Sequence, residues 1–154
     1  MNRRLLLKHS LATSIAAVMA TAGITIPTNS MAAAWIEAEF NAKAVDKVFA
    51  ELGATDVAQS DKITIKAPDI AENGAVVPIT ISTSLENVES ISILADQNES
   101  PLTSTFNFGK GAVGFVATRI KMGKTANLVA VVKAGGKFYQ AKKEVKVTIG
   151  GCGG

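Results

Sequence analysis

From residue 36 onward, apolar positions first recur at helical spacing. Ile36, Phe40, Ala44, Val48 and Leu52 follow one another at i, i+4, with Val45 and Phe49 alongside, in "AWIEAEFNAKAVDKVFAELGA". Such a stripe predicts an amphipathic helix packed on a core, and Gly53 supplies a C-terminal stop. Beyond Gly53 the period changes to two. "KITIKAP" puts Ile63 and Ile65 on one face, "AVVPITIST" does so with Val77, Ile79 and Ile81, and "VESISILA" with Ile91 and Ile93. "STFNF" offers Phe106 and Phe108, while "AVGFVATRI" and "NLVAVVK" are more continuously apolar. "FYQAKKEVKVTI" closes the series, with Val145, Val147 and Ile149 alternating against Glu144, Lys146 and Thr148. Turn residues separate these runs: "ENG" at 72–74, "DQNESP" at 96–101, "GKG" at 109–111, "MGK" at 122–124 and "AGG" at 134–136. About seven short strands punctuated in this way predict an antiparallel β-sandwich. Pro78 lacks the amide hydrogen that a ladder needs, so it belongs on an edge or at a strand start.

The residues before this pattern read differently. "MNRRLLLKHSLATSIAAVMATAGITIPTNSMAAA" has a basic head, an apolar stretch from Leu11 to Ile26, and small residues at Ala32 and Ala34. That is the layout of a cleavable export signal. As a membrane span the stretch is poor, being broken by Thr13, Ser14, Thr21, Gly23, Thr25 and Pro27. Arg3-Arg4 followed by Leu5-Leu6-Leu7-Lys8 resembles a twin-arginine signal, which points to the periplasm. The expected organisation is a signal at 1–34, cleaved after Ala34 or Ala32, a helix plus sandwich at 35–149, and a short arm at 150–154.

Cleavage changes the charge. Removing Arg3, Arg4 and Lys8 lowers the 16 Lys and Arg to 13, equal to the 13 Asp and Glu, so the formal charge becomes zero. The apparent basicity belongs to the signal, and nucleic-acid binding, which needs a concentrated basic face, has no support. "KKEVK" at 142–146 reads as the solvated face of a strand, with a smaller case for steering anions toward the arm. The single histidine, His9, leaves with the signal too. A chain without histidine and with one cysteine builds neither a Ser-His-Asp nor a Cys-His site, and it lacks the usual Cys/His zinc set.

That cysteine is Cys152, in the terminal "VKVTIGGCGG". One thiol forbids an internal disulfide. In an oxidising compartment it implies a reactive group or an intermolecular bond. Gly150, Gly151, Gly153 and Gly154 have no β-carbon to brace the backbone, so they predict a slender, flexible tether. An ordinary thiol is a few per cent thiolate at neutral pH, and no neighbour in sequence supplies a base, so activation falls to partner enzymes. These residues describe a carrier on which chemistry is done by others. Two rival readings remain: a secreted structural or interaction module whose Cys152 links two chains, and a carrier activated at the carboxyl of a terminal Gly-Gly.

In "ENGAVVPITI", "ISILADQNESPLTSTFNFG", "TRIKMGKTANLVAVVKAGGKFYQAKKEVKVTI" and above all "GGCGG", the chain resembles the SoxY family, the sulfur-substrate carrier subunits of SoxYZ complexes in bacterial thiosulfate oxidation. The resemblance covers nearly the whole chain. With the pattern above, it implies an immunoglobulin-like antiparallel β-sandwich preceded by an N-terminal amphipathic helix and followed by a flexible Gly-Gly-Cys-Gly-Gly arm. It also implies that Cys152 carries the sulfur covalently, that the chain is not itself an enzyme, and that it needs no cofactor or metal. A SoxZ-like subunit is the implied heterodimer partner. SoxAX, SoxB and a sulfane dehydrogenase are the implied transient ones.

Overall fold

The computed structural model describes residues 37–148. The signal segment 1–34 and the arm 150–154 lie outside the described residues. The predicted class is present: two β-sheets face each other across an apolar core, and a helical segment precedes them.

The helical stripe forms two short helices, α1 (Glu37–Asn41) and α2 (Val45–Glu51). One continuous helix was expected. The chain instead breaks at 42–44, where Ala44 is extended (φ −141°, ψ 147°) and exposed. Helices of one or two turns have little stability of their own, so packing decides where they bend. The break lets Phe40, Ala42, Val45, Val48, Phe49 and Leu52 all meet the sheet beneath, and it turns Ala44, a member of the expected stripe, out to solvent. Gly53 ends α2 as expected, with φ +70° and its amide bonded to the Ala50 carbonyl at 3.0 Å.

Nine strands follow: β1 (Val57–Gln59), β2 (Ile63–Lys66), β3 (Ile70–Ala71), β4 (Val77–Thr83), β5 (Val88–Ala95), β6 (Leu102–Asn107), β7 (Phe115–Ile120), β8 (Ala126–Ala134) and β9 (Lys137–Val147). Seven of them are the runs read from the period of two. β1 and β3, at three and two residues, are too short to show any period. The larger sheet runs β1-β9-β8-β5-β6, with β3 also on β9, and the smaller runs β2-β4-β7. Pairing is antiparallel except for β1 and β3, which lie parallel to β9 along its outer edge. Between them the chain visits the other sheet as β2, and so closes that side of the sandwich.

Ile79, Ile81, Ile91, Ile93, Leu128, Val132 and Val145 fill the space between the sheets. The larger sheet is buried on its other face as well. Leu94, Leu102, Val129 and Val131 pack there against Ala42 and Val48 of the helical segment. This explains why "NLVAVVK" reads as unbroken apolar sequence: a strand covered on both faces loses its alternation. "AVGFVATRI" has a different cause. β7 is an edge strand that alternates in burial, leaving Phe115 exposed. Pro78 is the second residue of β4 and lies beyond the last β2 partner pair, Lys66↔Thr80, so only β7 flanks it. The expectation of a strand start is met.

Candidate functional site: the root of the C-terminal arm

Cys152 and the glycines Gly150, Gly151, Gly153 and Gly154 lie outside the described residues. What the structure describes is the point from which they depart. β9 reaches past the end of β8, whose first pair with it is Ala126↔Val145. The last turn of the ladder is completed by other means. β3 lies parallel alongside, with Ile70↔Lys146 and Ala71↔Val147 as partners. The Lys146 amide donates to the Asp69 carbonyl at 3.0 Å, and the Thr148 amide donates to the Ala71 carbonyl at 3.2 Å. On the other flank the Val147 amide donates to Thr125 Oγ1 at 3.0 Å, so a side chain stands in for the missing strand.

Two loops buttress this root. Residues 72–76 turn back after β3, with Asn73 Oδ1 accepting from the Ala75 amide at 2.9 Å, a local side-chain bond typical of turns. A β-carbon at Gly74 would stand 2.4 Å from the Met122 carbonyl oxygen and 2.8 Å from Val147 Cγ1, so only glycine fits between β9 and the 121–125 loop. The Met122 amide donates to the Gly74 carbonyl at 2.7 Å. Lys146, Val147 and Thr148 are therefore each tied down by a hydrogen bond to a neighbouring segment.

Lys143 contributes from within β9. Its partner Leu128 belongs to the inter-sheet core, so the register turns Lys143 inward. The ammonium donates to the Ala67 carbonyl at 2.7 Å and pairs with Asp69 Oδ1 at 3.0 Å. The expectation of a uniformly solvated "KKEVK" is corrected here: Lys142, Glu144 and Lys146 are exposed, whereas Lys143 is half-buried and holds the segment leading into β3. At the far end of β9, Glu89 accepts from the Gly136 amide at 2.7 Å and pairs with Lys133 at 3.0 Å. The hydrogen bond from Lys133, then that from Gly136, holds its carboxyl below the usual glutamate range.

No group of three or more His, Cys, Asp or Glu side chains is gathered for a metal ion among the described residues. The sequence reading missed the β3 clasp, the inward Lys143 and the loop contacts at Gly74. Only the "ENG" turn hinted that the chain doubles back there.

Residues 47–152 match the family described as "Sulfur oxidation protein SoxY", a match that runs through the sandwich to Cys152. No curated protein sequence matches the chain. Among solved structures, the sulfur carrier protein SoxY from Chlorobium limicola f thiosulfatophilum is 47% identical, with a TM-score of 0.61, covering 68% of this chain and 94% of its own. Two structures of superoxide reductase (neelaredoxin) from Ignicoccus hospitalis share the fold alone. They are 18% and 15% identical, each with a TM-score of 0.50, over 56% and 60% of this chain and 80% and 95% of theirs. With the family match covering more than two thirds of the sequence, and with a solved relative nearly half identical over its sandwich, the chain belongs to the SoxY family.

Proposed function

We propose that this chain is a periplasmic sulfur carrier that holds thiosulfate-derived intermediates on Cys152 and presents them to oxidising enzymes. One observation carries the reading: the family match extends through to Cys152, the only cysteine in the chain. Three further features support it: the resemblance of 1–34 to a twin-arginine export signal, the glycine pairs on either side of the thiol, and the firmly anchored root at Val147 and Thr148.

The chemistry balances with the chain as substrate. The Cys152 thiolate joins the outer sulfur of thiosulfate, forming one S–S bond and releasing two electrons to a haem partner of the SoxAX kind. Water then cleaves the terminal sulfonate on a SoxB-like hydrolase, giving sulfate, two protons and a persulfide anion left on Cys152. A sulfane dehydrogenase, where one is present, oxidises that remaining sulfur. A SoxZ-like subunit completes the carrier as a heterodimer. The gain comes from tethering: an intermediate that stays covalently bound is seen by each enzyme at an effective concentration that free diffusion does not reach.

The test is the mass of the mature C-terminal peptide, with and without reductant, from cells oxidising thiosulfate. Reducible additions confined to Cys152, and lost in Cys152→Ala, are expected. Unmodified thiol or a plain disulfide dimer during active turnover would overturn the reading. Additions that persist in Cys152→Ala would move the attachment to the terminal carboxyl.

A further inference from the structure

The sandwich is covered along one margin and open along the other. β2 packs over β9, and β1 and β3 pair along the outer edge of β9, which covers that side. With β2 above β9, the order β2-β4-β7 carries β7 to the side of β5 and β6. There the larger sheet ends in β6 and the smaller in β7, and among the described residues neither has a second ladder partner. The two strands are consecutive and joined by residues 108–114. This connection is held to the body of the sandwich. The Phe108 amide donates to the Glu89 carbonyl at 2.8 Å, and the Gly114 carbonyl accepts from the Thr83 amide at 2.9 Å. A β-carbon at Gly114 would stand 2.5 Å from Thr83 Cγ2, so the chain runs close against β4.

Unpaired strand edges recruit other strands, and proteins block them with charges, prolines or covering segments. β6, "LTSTFN", has neither a charge nor a proline, and β7, "FVATRI", has only Arg119. Val113 and Phe115 stand beside this edge, 78% and 55% exposed, and Phe106 and Phe108 are only partly buried behind it. A bare edge with apolar surface next to it suits a protein partner that adds a strand. Charge selects which partner. From Pro101 to Lys143 the sequence holds no Asp or Glu, so β6, β7 and their connection carry Lys110 and Arg119 without an acid. Neither makes an ion pair among the described residues. In the adjoining segment, Glu89 is engaged by Lys133 and the Gly136 amide, which leaves Glu86. A second copy of this chain would set two cationic edges against each other, and like charges facing across a sheet oppose pairing. Carboxylates on a different chain would complement the edge.

We infer that the β6–β7 margin is the docking surface for the carrier's second subunit, which meets it with an apolar strand edge bordered by carboxylates. The inference rests on the heterodimer part of the function proposed above and is independent of what Cys152 carries. Strand direction fits it. β6 runs against β5, β5 against β8, and β8 against β9, so the 108–114 connection lies at the end of the sandwich where β9 begins. A subunit seated on Val113, Phe115 and the two edges leaves the last residues of β9 uncovered.

The experiment measures hydrogen exchange of the exported chain alone and with the SoxZ-like subunit of the same organism, and the Kd of the pair by calorimetry. Slower exchange is expected at residues 102–120, with the helical segment 37–52 unchanged. Phe115→Ser and Arg119→Glu should each weaken association by roughly tenfold or more, as central apolar anchors and opposed charges do. Both side chains are exposed, so the melting temperature of the free chain should stay the same. Ile70→Ser removes an exposed apolar side chain on the covered side and should bind as the unaltered chain does. Protection centred on the helices or on residues 66–76 would overturn the inference. So would normal binding by the Phe115→Ser, Arg119→Glu double variant, the absence of any complex, or a homodimer that protects 102–120. Cys152→Ala should dock normally, so a failure to find sulfur on Cys152 tells against the carrier reading and not against this surface.

Discussion

Glu39 sits in α1 with 7% of its surface exposed, and burial raises its carboxyl above the ordinary glutamate range, with Glu51 adding to the shift. The sign follows from linkage. A carboxyl that titrates higher folded than unfolded opposes folding fully at pH above its raised value. That penalty fades as the pH falls through the raised value toward the ordinary value of about 4.3. Glu39→Gln is therefore expected to raise the melting temperature by a few degrees at neutral pH. The gain should vanish near pH 4, and thermal unfolding of both proteins between pH 4 and 8 would show it. A gap independent of pH would mean that burial of the charge is not the cause. Little of this was readable in advance, since "IEAEF" at 36–40 reads as glutamates on a polar face, and the break at 42–44 decides which face that is. Cys152 is the opposite case: the chemistry expected of it is read from residue type and neighbours alone.

β9 shows how one strand acquires two different edges. Along β8 it follows an ordinary antiparallel register, foreseeable from the alternation of Val145 and Val147 with Glu144 and Lys146. Its outer edge is covered by β1 and β3 in parallel, pieces too short to declare themselves. An uncovered edge invites pairing with other chains, so these short strands also protect the root. Lys143 is the fastening, through Ala67 and Asp69. Lys143→Met should keep the aliphatic stem and lose both contacts. Faster hydrogen exchange is then expected at the Lys146 and Thr148 amides, by roughly tenfold, or about 1.4 kcal/mol, close to the lower end of the range for a charge-assisted hydrogen bond. Amides in β5 should be unchanged. Uniform acceleration across the sheet would show general destabilisation instead of a released clasp.

In the described domain the larger sheet is the central layer. The smaller sheet covers one of its faces and the helical segment the other. Adjacent residues of β5 test this arrangement. Ile93 points into the inter-sheet core and Leu94 toward the helices, and neither is exposed to solvent. Leu94→Ala should cost about 2–5 kcal/mol, the same range as Ile93→Ala, because each leaves a cavity in packed surroundings. Urea denaturation decides between that and the change below about 0.5 kcal/mol expected of an exposed site. Strand direction places the β3–β4, β5–β6 and β7–β8 connections at the end of the sandwich where β9 finishes.

Local pattern was sufficient for the mainly β class, seven of the nine strands, the stop at Gly53 and the place of Pro78. Each depends on a periodicity or a backbone preference carried within a few residues. The export-like leader and the solitary thiol among glycines are equally local signals. Beyond their reach were the division of the helix, the parallel strands β1 and β3, the inward turn of Lys143, and the meeting of Asn98 with the 121–125 loop. Those contacts join residues from about 20 to just over 80 positions apart. Such pairings carry no periodic signature, because they are selected by which surfaces remain to be covered once the two sheets have closed on their core.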